Sequence, residues 1–297
     1  LEGEFLRITT LKEFGPQLPI GMLEGTTLQK NFTLRPFKGW VDRSLGLWRE
    51  ANGDRYTSQQ MAACMVGKLL SLLVEQAGKK AFALTKEKDS TPESELSLYQ
   101  WNMCDVIYAY VYARKQALGN ELRVPIGCTN PNCKYVDPSA VFDLDTLEVR
   151  SAENLDDTFA WVSLTSPIMA RDGKTKISSI RVEPLKWTVM TQPGFIGGTN
   201  QHMDAVSLQS AAVAINKHEK SAVNGVEREG YPYTLVESEV DEITKRDYLI
   251  INERIGELSM GIDITTAIPC PKCGMVIINP LDWEYGNFFG SSFRAGI

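Results

Sequence analysis

Four of the cysteines fall in two tight pairs, Cys128-Thr-Asn-Pro-Asn-Cys133 and Cys270-Pro-Lys-Cys273-Gly. A CxxC or CxxxxC turn presents two thiolates from one bend, and two such turns fill one tetrahedral metal site. No histidine lies near either pair, so neither completes a site alone. Pro271 and Gly274 shape the second turn, and Asn130, Pro131 and Asn132 are turn formers in the first. We therefore expect Cys128, Cys133, Cys270 and Cys273 to share one structural Zn2+ ion; the thiolate pattern by itself admits zinc or iron. Four sulfur ligands leave no open position, so the role is structural rather than catalytic. The plainer alternatives are free thiols in turns or two separate disulfides. Closure entropy grows slowly with loop length, so in a loop this long the metal's binding free energy dominates.

Each pair ends a longer pattern that occurs twice. Asp105 through Gly119 leads on to Cys128, and Asp247 through Gly261 leads on to Cys270; one offset of 142 superposes all three landmarks. In each copy a helix, a glycine stop, an extended run and a cysteine knuckle follow in turn. The order before them also restarts. Leu18 to Leu23, a turn at Glu24-Gly25 and the alternating run from Leu28 to Phe37 predict a hairpin. Phe159 to Ile168, Asp172-Gly173 and Ile177 to Val182 predict another. Pro19-Ile20 matches Pro167-Ile168, and Arg35-Pro36 stands against Glu183-Pro184, both shifted by 148.

The expected fold class is α+β, with two tandem related modules (hairpin, helix, helix, cysteine knuckle, strand) bridged by a zinc-ribbon-like site. Residues 1–16 form a polar lead-in, residues 17–150 the first module with the CxxxxC knuckle, and residues 151–297 the second with the CxxC knuckle. Within the first, Gly39 to Trp48 is a short helix. A longer helix, capped at Thr57 or Ser58, reaches Ala77 and stops at Gly78. Its buried stripe is Met61, Met65, Leu69, Leu72 and Leu73. Lys79 to Glu95 reads as a charged loop, Trp101 to Leu118 as a helix, and Val141 to Val149 as a strand. In the second module Pro193 to Asn200 is a loop. Met203 to Val223 and Glu239 to Ser259 are helices, and Ile277 to Trp283 is a strand.

Composition narrows the function classes. The 297 residues are 43% hydrophobic and 23% charged, the balance of a folded protein. A net charge of −6 with pI near 5.2 argues against a nucleic-acid binder, which needs clustered Lys and Arg. Lys134, Lys272 and Arg123 near the knuckles are too few for one. The longest apolar stretch, Met61 to Val74, is interrupted by Lys68 and falls short of the ~20 residues a membrane span needs. The first residues show no basic region ahead of an apolar core, so no signal peptide is expected, and a start at Leu1 leaves room for residues upstream. Six cysteines are too few for a disulfide scaffold, which points to reduced thiolates and a cytoplasmic site of synthesis.

Other chemistry-bearing residues read as structural. Cys64 and Cys104 sit on helices as small hydrophobes. His202 and His218, the only histidines, read as solvated or turn residues. Asp105 and Asp247 fall in the first turns of their helices, where a carboxylate suits the dipole. Gly194-Phe-Ile-Gly197-Gly198-Thr lacks the ending of a phosphate loop. No catalytic motif stands out, so the chain is expected not to be an enzyme; a deep pocket with converging polar groups would revive a hydrolase. Trp40, Trp48 and Trp161 read as core. Trp283, Tyr285, Phe288, Phe289 and Phe293 crowd a short tail, where they either anchor a partner or pack over their own knuckle.

Several short motifs carry a resemblance. Leu18-Pro-x-Gly, Leu34-Arg-Pro-Phe-x-Gly39, a helix with paired leucines, and a helix with Asp105, Arg114 and Gly119 come first. A cysteine pair, Asp143-Leu-Asp-x-Leu, the ending Cys270-Pro-Lys-Cys-Gly, Pro280-Leu-Asp-Trp and Phe288-Phe289 follow. Together these resemble the cysteine-knuckle baseplate and hub assembly proteins of contractile-tailed phages and related contractile injection systems, here as a tandem pair over most of residues 17–297. The resemblance implies a non-enzymatic structural or assembly component of a tail baseplate, hub or injection particle. Its partners would be other tail, baseplate or hub proteins in a multi-subunit assembly, put together in the bacterial cytoplasm. The chain departs from that pattern in its CxxxxC first knuckle. The alternative is a zinc-ribbon nucleic-acid-binding protein.

Overall fold

β1 (Leu6–Thr10) runs directly into one helical turn, α1 (Leu11–Phe14), whose Leu11 and Phe14 are buried. The expected lead-in is therefore part of the fold, because β1 gains a ladder partner 138 or more residues away that the local sequence does not announce. The computed structural model describes residues 6–56, 58–85, 92–98, 101–170, 173–174, 176–191, 212–214, 220–223, 226–229, 233–234, 237–258, 260–263, 265–280 and 288–289.

The expected first hairpin is present as β2 (Gln17–Glu24) and β3 (Thr27–Leu34), with a bulge in the pairing between Gln17 and Met22. α2 (Gly39–Asn52) follows, a turn longer than anticipated, and then α3 (Ser58–Leu73). Met65, Leu69, Leu72 and Leu73 bury the stripe read from the sequence, while Met61 is half-buried. The helix ends at Leu73 rather than Ala77. β4 (Val74–Ala77) leaves it to pair with β3 and with β5 (Lys80–Ala81), so Gly78 turns a hairpin instead of stopping a helix. Arg35 fixes the switch: its backbone N–H donates to the Leu73 carbonyl at 2.6 Å, and its guanidinium to the Val74 carbonyl at 2.6 Å. Those carbonyls would otherwise end the helix unpaired. The charged segment beyond is not wholly loop, since β6 (Leu84–Thr85) pairs with β7 (Glu93–Ser94).

α4 (Met103–Leu118) is enclosed over most of its circumference, with Val106, Tyr108, Ala109, Tyr110, Val111 and Ala113 all buried. A helix covered so widely needs elements packed on several sides, and here α3, β2 and a strand from the far end of the chain supply them. β8 (Glu121–Gly127) alternates cleanly, Leu122, Val124 and Ile126 buried against exposed Glu121, Arg123 and Pro125. It pairs with β9 (Val136–Asp143), the register shifting where Pro125 cannot donate. The strand expected over Val141 to Val149 is broken: a 3-10 turn at Leu144–Thr146, capped by the Asp143 carboxylate, separates β9 from β10 (Glu148–Ala152).

β11 (Ala160–Met169) and β12 (Lys176–Val182) form the second hairpin, bulged between Ser163 and Ile168. β13 (Ala212–Ala214), β14 (Lys220–Val223), β15 (Val226–Glu229) and β16 (Tyr233–Thr234) follow. The helix expected over Met203 to Val223 is corrected at 212–214 and 220–223, which pair as strands; in β13, partnership with β12 and β16 overrides helical periodicity. The rest of that segment, and the Pro193 to Asn200 loop, lie outside the described residues. The helix expected over Glu239 to Ser259 is two, α5 (Glu237–Asp241) and α6 (Lys245–Glu257), broken where the Thr244 hydroxyl caps α6 by accepting the Asp247 N–H. β17 (Gly261–Ile262), β18 (Thr265–Pro269) and β19 (Val276–Pro280) complete the described chain apart from residues 288–289. Gly261 opens a strand and is not the helix stop.

β10 lies between β1 and β17, so residues from both ends of the chain share one sheet. The larger core collects α1 to α4 and β8, and it also takes in Cys133, Cys270, Ile277, Phe288 and Phe289. A second core lies between β11, β12 and the α5–α6 segment. Trp40, Trp48 and Trp161 are half-buried. Phe288 and Phe289 are buried in the same core as Cys133 and Cys270: Phe288 stacks on Tyr110 with ring centroids 5.1 Å apart, and Phe289 stacks on Phe37 at 5.5 Å. These two rings are core and not partner anchors. Trp283, Tyr285 and Phe293 lie outside the described residues. Among the described residues no helix is long and apolar enough to cross a membrane.

Candidate metal centre

Each cysteine pair sits at the tip of a hairpin, the first between β8 and β9 and the second between β18 and β19. The tips are built alike. The Cys128 N–H donates to the Tyr135 carbonyl, and the Cys270 N–H to the Met275 carbonyl, both at 2.8 Å. In each case the acceptor lies two residues past the second cysteine. The residue between adopts positive φ, +51° at Lys134 and +74° at Gly274. The longer first tip spends its two extra residues on an Asn turn, with the Asn130 side chain accepting the Asn132 N–H at 3.0 Å.

The fold brings both tips together. Cys128 and Cys273 sulfurs lie 3.6 Å apart, Cys133 and Cys270 sulfurs 3.7 Å apart, and all four lie within 4.8 Å of one another. A tetrahedron with metal–sulfur bonds of about 2.3 Å has edges of roughly 3.8 Å. The four residues read from the sequence are thus assembled, and the donor set fits a metal ion. None of the four is in a disulfide. Among the described residues no other cluster of His, Cys, Asp and Glu could hold an ion. Cys133 and Cys270 are buried, Cys128 is half-buried and Cys273 is exposed.

Charge at the site is managed by nearby donors. The backbone N–H of Met275, with the neighbouring cysteines outweighing burial, lowers the Cys273 thiol to about 7. The Asn130 N–H works to lower Cys128, but burial and the other three cysteines prevail and push it up to about 12. Four sulfurs this close cannot all ionise alone, so the protons are shared until a cation replaces them. Lys272 donates from Nζ to the Cys133 carbonyl at 3.2 Å, which places one ammonium beside the thiolates.

The remaining candidates fall elsewhere. Asp105 is buried and accepts the N–H groups of Ile20 at 2.8 Å and Gly21 at 3.1 Å, inside the β2 bulge. Asp247 is buried and accepts the Thr165 N–H at 3.0 Å, inside the β11 bulge. Both carboxylates therefore tie a helix to a strand. Cys64 and Cys104 are part-buried, and burial pushes both thiols up. His202, His218 and the glycine-rich run at Gly194 to Gly198 lie outside the described residues.

One feature went unread in the sequence. A cavity of about 690 Å3 opens between the β2 hairpin and the outer face of β11–β12, lined in part by Arg181 and Lys186. Among the described residues no histidine or cysteine lines it. Its only signal was Arg181, a cation inside the otherwise apolar Ile180-Arg-Val182 end of a strand. Compared with protein-family models, curated proteins and solved structures, the chain finds no match in any of the three.

Proposed function

We propose that this chain is a non-enzymatic scaffold in which one zinc ion clamps two related modules. It would act through protein contacts as a structural or assembly component of a contractile tail baseplate, hub or related injection particle. The observation that carries the reading is the closed set of four sulfurs drawn from hairpins 142 positions apart in sequence. A closed set stabilises and leaves no position at which a substrate could bind the ion. Zinc is favoured over iron because it needs no redox partner and suits a site whose work is cross-linking.

Internal parallels support the module reading. Both knuckles share the same closing hydrogen bond and the same positive-φ residue. Both long helices place a buried aspartate at their third residue, bonded to amides in the bulge of a hairpin's first strand. In that geometry Thr165, and not Ile168, stands where Ile20 does. The particle assignment leans on the sequence resemblance, together with exposed Val136, Val141, Met275, Val276 and Ile278 on the knuckle hairpins, apolar groups suited to a protein interface.

The test is to tag the chain in particle-producing cells and follow it through particle purification. Co-fractionation with tail intermediates or finished particles is expected. A chain that stays monomeric throughout, in cells that do make particles, would end the particle reading while leaving the zinc scaffold intact.

A further inference from the structure

The geometry points to a binding site for a small organic carboxylate with an apolar body, in the cavity between the β2 hairpin and the β11–β12 sheet. This inference rests on the cavity alone and is independent of the particle role. Arg181 lies on the face of β12 turned away from Ile180 and Val182, which belong to the second core. Its side chain is only 9% exposed, yet among the described residues its Nε–H has no hydrogen-bond partner. One terminal nitrogen pairs with Glu183, and the guanidinium lies 5.6 Å from the centre of the Phe159 ring. The guanidinium edge formed by Nε and a terminal nitrogen is the edge that grips a carboxylate with two parallel bonds. Here half of that edge is held by Glu183 and half is unused.

The surroundings suit such a guest. Lys186 donates from Nζ to Asn102 at 2.7 Å and keeps further donors on the same ammonium. Asp105 is occupied by the amides of Ile20 and Gly21 and by Asn102, and its charge acts on Lys186, which leaves Arg181 as the main anchor. Glu95 and Asp156 also line the cavity, but both are exposed residues whose charge water and salt screen. Trp101, Trp161 and Phe82 supply flat apolar wall, and about 690 Å3 lies within the range of small-ligand sites. An apolar body with one acid group matches this lining; a polyanion would meet too few cations.

The experiment titrates the full metal-loaded chain with 3-phenylpropionate and, separately, with 3-phenylpropionamide, reading the fluorescence of the cavity tryptophans. The acid is expected to saturate below about 10 mM and to bind at least about tenfold more tightly than the amide, since only the anion makes a charge-assisted pair. Arg181→Gln should lose at least about tenfold in affinity for the acid with metal content unchanged. Glu183→Gln, which removes the carboxylate charge that competes for the guanidinium, should tighten binding about threefold and keeps the test decisive should the first variant fail to fold. Equal binding of acid and amide, no saturation by the acid, or affinity unmoved by Glu183→Gln would each overturn the assignment.

Discussion

Arg114 donates from Nε to the carbonyl of Phe288 at 3.0 Å, joining the middle of α4 to a residue 174 positions later. Its other guanidinium nitrogens hold the carbonyls of Gly119 and Glu121 at 2.7 and 2.8 Å. One buried cation thus ends its own helix, starts β8 and secures the tail. Only three carbonyls arranged by the fold make such a burial tolerable.

The tail contact gives the first prediction. Phe288→Ala should destabilise the protein by about 3–5 kcal/mol, the usual cost of emptying a buried aromatic site. Removal of residues 284–297 should impair folding itself, not assembly alone. Chemical denaturation checks both, and a truncated chain that unfolds at the wild-type midpoint would place the tail outside the core.

Cys273→Ala should abolish stoichiometric metal binding and lower the melting temperature, as read by native mass spectrometry and thermal unfolding. Acid should act in the same direction, because protons compete with the ion for thiolates. In the stripped protein Cys273, lowered to about 7, should alkylate at neutral pH well ahead of Cys128, pushed up to about 12. Equal alkylation of the two would contradict the shared-proton cluster.

Asp247→Asn should lose about 1–3 kcal/mol at neutral pH, because it removes the charge and replaces one of the two oxygens that accept from Thr165 and Thr244 with a donor. Burial works to raise this carboxyl, but the N–H and hydroxyl of Thr165 and the hydroxyl of Thr244 outweigh it and hold the group below its ordinary value. A depressed folded value means the stabilisation is complete above the unfolded pKa of about 3.8 and fades as pH falls through the folded one. The gap between wild type and variant should therefore close in acid. A gap constant down to the lowest pH would show that the charge plays no part.

Gly261→Ala should cost more than Gly119→Ala. Both glycines have positive φ, +102° and +86°, so both substitutions strain the backbone by about 1–2 kcal/mol. At Gly261 an added Cβ would also lie 2.7 Å from Cys104 Cβ, whereas at Gly119 it meets nothing within 4 Å. Equal midpoint shifts in urea would mean that β17 does not press on α4.

Much of the local structure was legible because it depends on local chemistry. The turn at Gly25 and the stripe Met65, Leu69 and Leu72 state their conformations in spacing and residue type alone. The knuckles did so as well, since a cysteine pair flanked by turn formers has few other uses. The misreadings cluster where a distant partner decides. α3 stops at Leu73 because Arg35 and β3 claim the next carbonyls, and residues 212–214 are strand because β12 and β16 lie beside them. Helical periodicity in the same residues carries no record of those neighbours.

The sequence by itself determined which atoms could hold an ion: two pairs of sulfurs, each pair within one turn, in numbers that close a tetrahedron. Only the tertiary structure decided that the pairs meet, that β1 and β17 share β10, and that Arg181 faces a cavity with one donor unused. The division has a physical cause. Ligand type and turn geometry are properties of a few consecutive residues, whereas burial and closure depend on contacts made across the whole chain.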